Sequence, residues 1–512
     1  MMKLTSSWKR VERILLALLA VGIVTPAAPV AAQTAPPDRP VTFNKDVAPI
    51  LQRSCQQCHR PDSIAPMSLL TYQQTRPYAR AIKQRTQLAY VTGMRGVMPP
   101  WLLERDIGIQ DIKDDFRLSD EAIAILAKWA DTGAVEGDPA DLPLALSFLD
   151  NSRWFMGKPD LIVSSPPLLV KGVGPDWWGD VGDAPPLPLT EDRYAVSAEY
   201  KETSEITKST GMLKSTSNAD TYPGQGKTSI FVFHHAGSSV RRPAEAREAS
   251  FDDEIPTGGS FPNHEVGHNG HAFAAAAGRL VPAKGIFSFN GAHVHSPGIP
   301  GADRNAVLTL GLRFHPKGYK PTLVEANVGL SSSELNISPE SASQRYDAYY
   351  VVKQPMELTN FEPHMHAAGM RMCIEAIYAS AVETLNCAGY DHNWVREYSY
   401  SENAAPLMPP GTILHSIAWF DGSAKNANLI DARNTTVWGR RSVENMLGTN
   451  NRAFFLTEEQ YQSELAKRRE YLTRTDSWDK LIGCPDCYKV TPAAARPSAS
   501  SPTTPRGTSA PR

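Results

Sequence analysis

Cys55-Gln56-Gln57-Cys58-His59 holds two thiols separated by two residues, with an imidazole directly after the second. The spacing suits a c-type haem: the cysteines add across the haem vinyl groups and the histidine becomes the proximal iron ligand. A bare CxxC fits zinc, a disulfide or a redox dithiol equally, and His59 is what narrows it. The competing reading is a chance disulfide beside a surface histidine. A sixth iron ligand is expected from a downstream methionine, for which Met67, Met94 and Met98 compete.

Twelve of the 13 histidines follow residue 160, and most are grouped, as expected of transition-metal ligands. The groups are His234-His235, His264/His268/His271, His293/His295 and His364/His366. On a strand, residues i and i+2 share a face, so His364 and His366 can reach one metal. His234 and His235 face opposite sides of a regular strand, so joint ligation requires a strand end or a bulge there. His264, His268 and His271 lie in the Gly/Asn-rich stretch FPNHEVGHNGH. They read as polar loop residues near a metal, with a third metal site as the alternative.

The order of these groups, followed by Met446 in Trp438-Gly439-Arg440-Arg441-Ser442-Val443-Glu444-Asn445-Met446, resembles the copper type II, ascorbate-dependent monooxygenases. Peptidylglycine α-hydroxylating monooxygenase and dopamine β-monooxygenase are familiar members. The likeness runs from about Thr190 to Phe455 and is densest in Pro363–Gly369, Tyr390–Trp394, Leu407–Asp421 and Val437–Gly448. It implies two tandem β-sandwich (jelly-roll-like) domains, each with one copper, facing one another across a solvent-filled cleft. His234 and His235 would ligate an electron-transfer copper, with His293 as third ligand and His295 or His315 as alternates. His364, His366 and Met446 would ligate the copper that meets dioxygen, where a soft thioether favours Cu(I). Asn445 departs from the pattern, since relatives usually carry an acid before the methionine.

These side chains require a scaffold of two kinds. In residues 41–139, Val47, Ile50 and Leu51 repeat at helical spacing before Cys55, and Ser119 can cap a helix with the apolar stripe Ala122, Ile125, Leu126 and Trp129, stopped by Gly133. That is the plan of a small all-α cytochrome c. Met98-Pro99-Pro100-Trp101 and Arg60–Tyr72 resemble the cytochrome c domain at the N-terminus of many bacterial redox proteins, and that resemblance makes Met98 the ligand. From about residue 160, short β-branched and aromatic runs such as Thr228–Phe233, Ala306–Phe314 and Thr412–Phe420 predict strands, with no long amphipathic helix in view. Residues 140–160 read as a linker, 161–345 and 346–480 as the two sandwiches, and 481–512 as a CxxC segment and a Pro/Ser/Thr-rich tail.

Residues 1–32 carry a basic start, an apolar run Ile14–Val24 and Val30-Ala31-Ala32, the pattern of a cleaved export signal. The run is short of the about 20 residues of a membrane span, so no span is expected after cleavage; an uncleaved anchor is the alternative. A periplasmic or secreted location permits disulfides. Cys373 and Cys387 flank a hairpin after the His364/His366 strand and suit a cross-strand bridge; Cys484-Pro485-Asp486-Cys487 lacks a following histidine and suits a local disulfide. A formal charge of -2 without a polybasic stretch argues against nucleic acid as partner.

The reading is a haem–copper oxidoreductase with one covalent c-type haem and two coppers. Electrons from an external donor would enter through the haem and support dioxygen-dependent hydroxylation of a C–H bond in a small organic substrate. One alternative is an electron-transfer cytochrome with a non-catalytic β-sandwich binding module. Another is a metal-binding protein without oxygen chemistry, for which Met446 disfavours zinc.

Overall fold

The computed structural model describes residues 38–488 except 62, 64, 66, 89–95, 149–153, 207–220, 223–225, 228–231, 244–258, 266–267, 297, 299, 380, 393 and 442. The predicted export signal, Met94 and the tail beyond residue 488 lie outside them. The chain is mostly β-sheet with a few helices.

Helices α1 (Ala48–Ser54), α2 (Ala79–Gln87) and α3 (Asp120–Asp131) share one small core near the N-terminus. Ser119 caps α3 by accepting from the amide of Ala122, and Gly133 follows its end at φ +95°, where a side chain would be strained. The buried face is Ala122, Ile123, Leu126 and Trp129. It is turned toward Ile123, leaving the predicted Ile125 only half-buried, because Trp129 packs centrally against Phe43 at 6.0 Å.

Between α2 and α3 the chain leaves this helical core. Trp101, Leu103, Ile109 and Ile112 are buried in a different core, made by the C-terminal strands. A Cβ on Gly108 (φ +65°) would lie 1.9 Å from the carbonyl oxygen of Leu385, so this close approach demands glycine.

The first sandwich is built on β1 (Arg193–Ile206), β2 (Phe233–Arg241), β3 (Ser260–Glu265), β4 (Ile286–Val294) and β5 (Arg304–Phe314). One sheet pairs β5 with β1 and with short strands at Leu161–Ser164 and Leu168–Val170; the other has the order β4-β2-β3. Leu308, Leu310 and Leu312 of one sheet meet Phe233, Val240, Phe287 and Phe289 of the other in a single core. The Tyr200 hydroxyl and Ser238 Oγ, 2.6 Å apart, tie the two faces together. The predicted strand at Thr228–Phe233 falls largely outside the described residues, and β2 begins at its last residue.

The second sandwich contains β6 (Gln344–Val351), β7 (Pro363–Met365), β8 (Gly369–Ile377), β9 (Val382–Gly389), β10 (Ile413–Phe420), β11 (Leu447–Thr449) and β12 (Asn451–Phe455). The sheet β6-β10-β8-β9 covers a layer built on β12, β11 and β7. Strands at Val324–Val328, Ser331–Ser332 and Asn336–Ile337 already pair within this layer. The changeover between sandwiches therefore comes before residue 345, where the sequence reading put it.

The expectation of strands without a long helix is corrected at the C-terminal end. Helix α4 (Glu458–Thr475) opens with a reciprocal capping box between Thr457 and Gln460. Its charged composition hides a narrow stripe, Tyr461, Leu465, Arg468 and Leu472, which recurs at helical spacing and is buried. Both expected disulfides are present, Cys373–Cys387 between directly opposed residues of β8 and β9, and Cys484–Cys487 under α4. Among the described residues no helix is long and apolar enough to cross a membrane.

Candidate metal centre

A bulge decides the geometry around His234. Phe233 is opposite Val294 and His235 is opposite His293, so His234 is the extra residue in β2. The register slip breaks the alternation that would send neighbouring side chains to opposite faces. Both imidazoles consequently stand near His293, with ring centroids 4.9 Å (His234) and 5.6 Å (His235) from it. His293 is buried, stacks on Trp178 at 5.0 Å, and its Nε2 lies 2.9 Å from the Asp176 carboxylate. His295 shares Asp176 at 3.0 Å from Nδ1 and is 5.0 Å from His234, but is more exposed. His315 is elsewhere: its Nε2 bonds the Ala277 carbonyl at 2.7 Å and its ring stacks on Tyr319.

His364 ends up on β7 and His366 just beyond it, ring centroids 5.8 Å apart. β7 pairs antiparallel with β11, Met365 opposite Leu447, and continuing that register brings Met446 level with His366. Met446 is half-buried. Asn445 is buried and its amide donates to Thr436 Oγ1, a local bond that stabilises the turn carrying the methionine.

The two histidine sets do not face one another across a solvent-filled cleft, as the resemblance implies. The His235 and His364 rings are 5.7 Å apart, and buried residues surround them. His392, unassigned by sequence reasoning, bridges the sets: it lies 4.9 Å from His234, 6.2 Å from His293 and 6.2 Å from His366. One ligand atom each from His234, His293 and His392 falls within 4.8 Å of the others. His392 is a lone histidine on a loop of the second sandwich, and its only sequence signal was its place in Tyr390–Trp394.

Burial holds these rings neutral. It lowers His293 and His364 to about 4 and pushes His234, His235 and His366 down further, with neighbouring imidazoles adding to the effect at the last three. A neutral imidazole offers a lone pair, and His235 Nε2 and His364 Nδ1 are buried without a hydrogen-bond partner. Such orphaned imidazole nitrogens suit a transition-metal ion such as copper in chemistry.

The CxxCH segment continues α1 by a turn: the amides of Cys58 and His59 donate to the Cys55 carbonyl at 3.1 and 2.9 Å. Cys55 and Cys58 are free thiols, in contrast to the bonded pair of the same spacing at Cys484 and Cys487. Burial raises the Cys55 thiol to about 12. His59 Nδ1 lies 3.2 Å from the Met67 carbonyl, which orients the ring and leaves Nε2 outside that bond. The donor set and its orientation fit a covalently attached haem. Met98 is 38% exposed, and Met67 packs partly buried against the helical core. Burial raises the Cys58 thiol above its ordinary value, and Arg396, on the side of the second sandwich, offsets this only in part; its guanidinium lies over the rings of Trp101 and Phe116 at 5.2 and 4.9 Å.

The FPNHEVGHNGH stretch is not the solvated loop expected. His264 is buried on β3 with Nε2 3.3 Å from the Phe233 carbonyl, while His268 and His271 turn away from both sets toward Glu397 and Glu325. Comparison with models of protein families and with curated proteins finds no match for this chain.

Proposed function

We propose that this protein is an extracytoplasmic haem–copper oxidoreductase that hydroxylates a C–H bond of a small organic substrate with dioxygen. The supporting observation is the junction of His234, His235, His293 and His392 with His364 and His366: close-packed imidazoles from two sandwiches, contiguous at 5.7 Å or less from His235 to His364 and from His234 to His392. The balanced reaction is R–H + O2 + 2 e⁻ + 2 H⁺ giving R–OH and water, the electrons coming from an external one-electron donor. Copper held by these imidazoles would supply dioxygen binding and electron transfer, and a haem on Cys55 and Cys58 would supply the entry point for electrons.

In this reading the chain's own part is positioning. The bulge at His234 aims two neighbouring imidazoles at one point. Asp176 holds His293 in a single orientation through Nε2. Met446 gives the His364/His366 set a soft donor that favours the reduced metal. The helical core around Cys55 is the cytochrome c unit, with Met98 as its sixth ligand, and its neighbour Arg396 belongs to the second sandwich. The two disulfides and the predicted export signal agree with a periplasmic or secreted protein.

The test is iron and copper per chain after maturation with haem-attachment machinery and added copper, followed by stopped-flow. One iron and two coppers are expected, with dioxygen reoxidising the reduced haem in the native protein and not in His364→Ala. Equal reoxidation in that variant refutes the reading. Iron without copper leaves the alternative, a cytochrome carried on a binding scaffold.

A further inference from the structure

We propose that His268, His271 and Glu397 form a third metal site, for a divalent first-row cation such as Zn²⁺, which pins the two sandwiches together. The inference does not depend on the copper reading. One ligand atom from each residue lies within 4.8 Å of the others, and His268 Nε2 is 3.4 Å from Glu397 Oε2. Two imidazoles and one carboxylate, with no sulfur, make a donor set suited to zinc with an open fourth position.

The surroundings of Glu397 are a second, independent observation. Arg452 is buried among three buried carboxylates: its guanidinium bonds Glu397 directly, and lies 3.6 Å from Glu325 and 3.9 Å from Glu362. Arg279 is also buried nearby and interacts with Glu325. Glu265, buried as well, interacts with Glu362 from the first sandwich. Burial raises the carboxyls of Glu265 and Glu362 and favours their protonated forms, whereas Glu397 and Glu325 stay ionised beside Arg452 and Arg279. Glu397 Oε1 is taken by Arg452, but Oε2, the oxygen facing His268, has no hydrogen-bond partner. A cation at the His268/His271/Glu397 point answers the orphaned oxygen of this buried, ionised carboxylate.

The ligands come from anchored backbone on both sides. His268 is bridged to Glu265, the last residue of β3, and His271 belongs to a short strand (Gly270–Ala272) paired with β1, opposite Ala198. Glu397 precedes Tyr398, whose strand pairs with Asn360–Phe361 of the second sandwich. A metal here crosslinks the two sandwiches.

The experiment counts zinc bound to chelator-stripped, full-length protein, and measures its radius of gyration by small-angle scattering with and without Zn²⁺. Because zinc also enters the other imidazole sets, the readout is a difference. His268→Gln/His271→Gln is expected to bind one zinc fewer than the native chain, while His364→Ala/His366→Ala retains this site. Zinc should contract the native chain and not the His268/His271 variant. Equal zinc content in the native and His268→Gln/His271→Gln proteins overturns the site. A lost zinc with no difference in contraction overturns the pinning. Should circular dichroism show the double variant unfolded, His271→Asn alone is expected to weaken zinc binding at least tenfold, and an unchanged affinity overturns the site.

Discussion

The His235 ring on the first sandwich lies 5.7 Å from the His364 ring on the second, so two histidine sets far apart in the chain meet as neighbours. Residues expected to serve separate metals therefore share one buried junction, and substitutions there should couple across the sandwiches.

His392→Ala is expected to weaken copper binding at the His234/His293 set by at least about tenfold, the usual cost of losing a side chain that holds or orients a metal. Haem content should be unchanged. Copper competition titrations against a chelator of known affinity decide this, and an unaltered affinity would reduce His392 to a packing residue.

Replacing Cys373 and Cys387 together by alanine releases a loop with a sequence separation of 14. Loop entropy sets the expected loss at about 3 kcal/mol. Urea unfolding of the oxidised protein and the variant measures it, and a difference below about 1 kcal/mol would mean the β8–β9 pairing alone holds the hairpin in the unfolded reference.

Glu202 accepts from the amides of Val232 and Phe233, immediately before His234. Burial raises its carboxyl from 4.5 to about 7. Between these values the folded protein holds a proton that the unfolded chain releases, so this stabilisation is complete below pH 4.5 and disappears as pH rises through 7. Glu202→Gln should remove that dependence. The native protein is expected to lose on the order of 3 kcal/mol of stability relative to the variant across this range, measured by denaturant unfolding at fixed ionic strength; parallel pH curves would contradict the assignment.

Trp101→Ala should free the 101–112 segment from the second sandwich. The indole meets Phe116 and Tyr398 edge-on at 5.0 and 5.2 Å, and its loss should cost roughly 3 kcal/mol. The amides of Glu104, Ile109 and Gly389, which donate to Cys387, Leu385 and Leu102, are expected to exchange faster with solvent. Unchanged exchange at these sites would show that Leu103 and the Arg371–Glu104 ion pair suffice.

Much of the site was legible because its signals are short-range. CxxCH, His-His, His-x-His and the two cysteine pairs each lie within a few residues or one hairpin, where backbone periodicity dictates which side chains can meet. Helix α4 was missed, because its many charges obscured the narrow stripe of Tyr461, Leu465, Arg468 and Leu472 that recurs at helical spacing.

Local order along the chain carried the histidine groupings, most of the expected strands and the disulfide partners, since these depend on spacing and on covalent neighbours. Only the tertiary structure decided that His234 is the bulged residue of β2, that His392 joins it, and that His268 meets Glu397. Each of those contacts depends on strand register and on how two sandwiches pack. Register is a collective property of strands far apart in the chain, and a shift of one residue in β2 would turn His235 to another face.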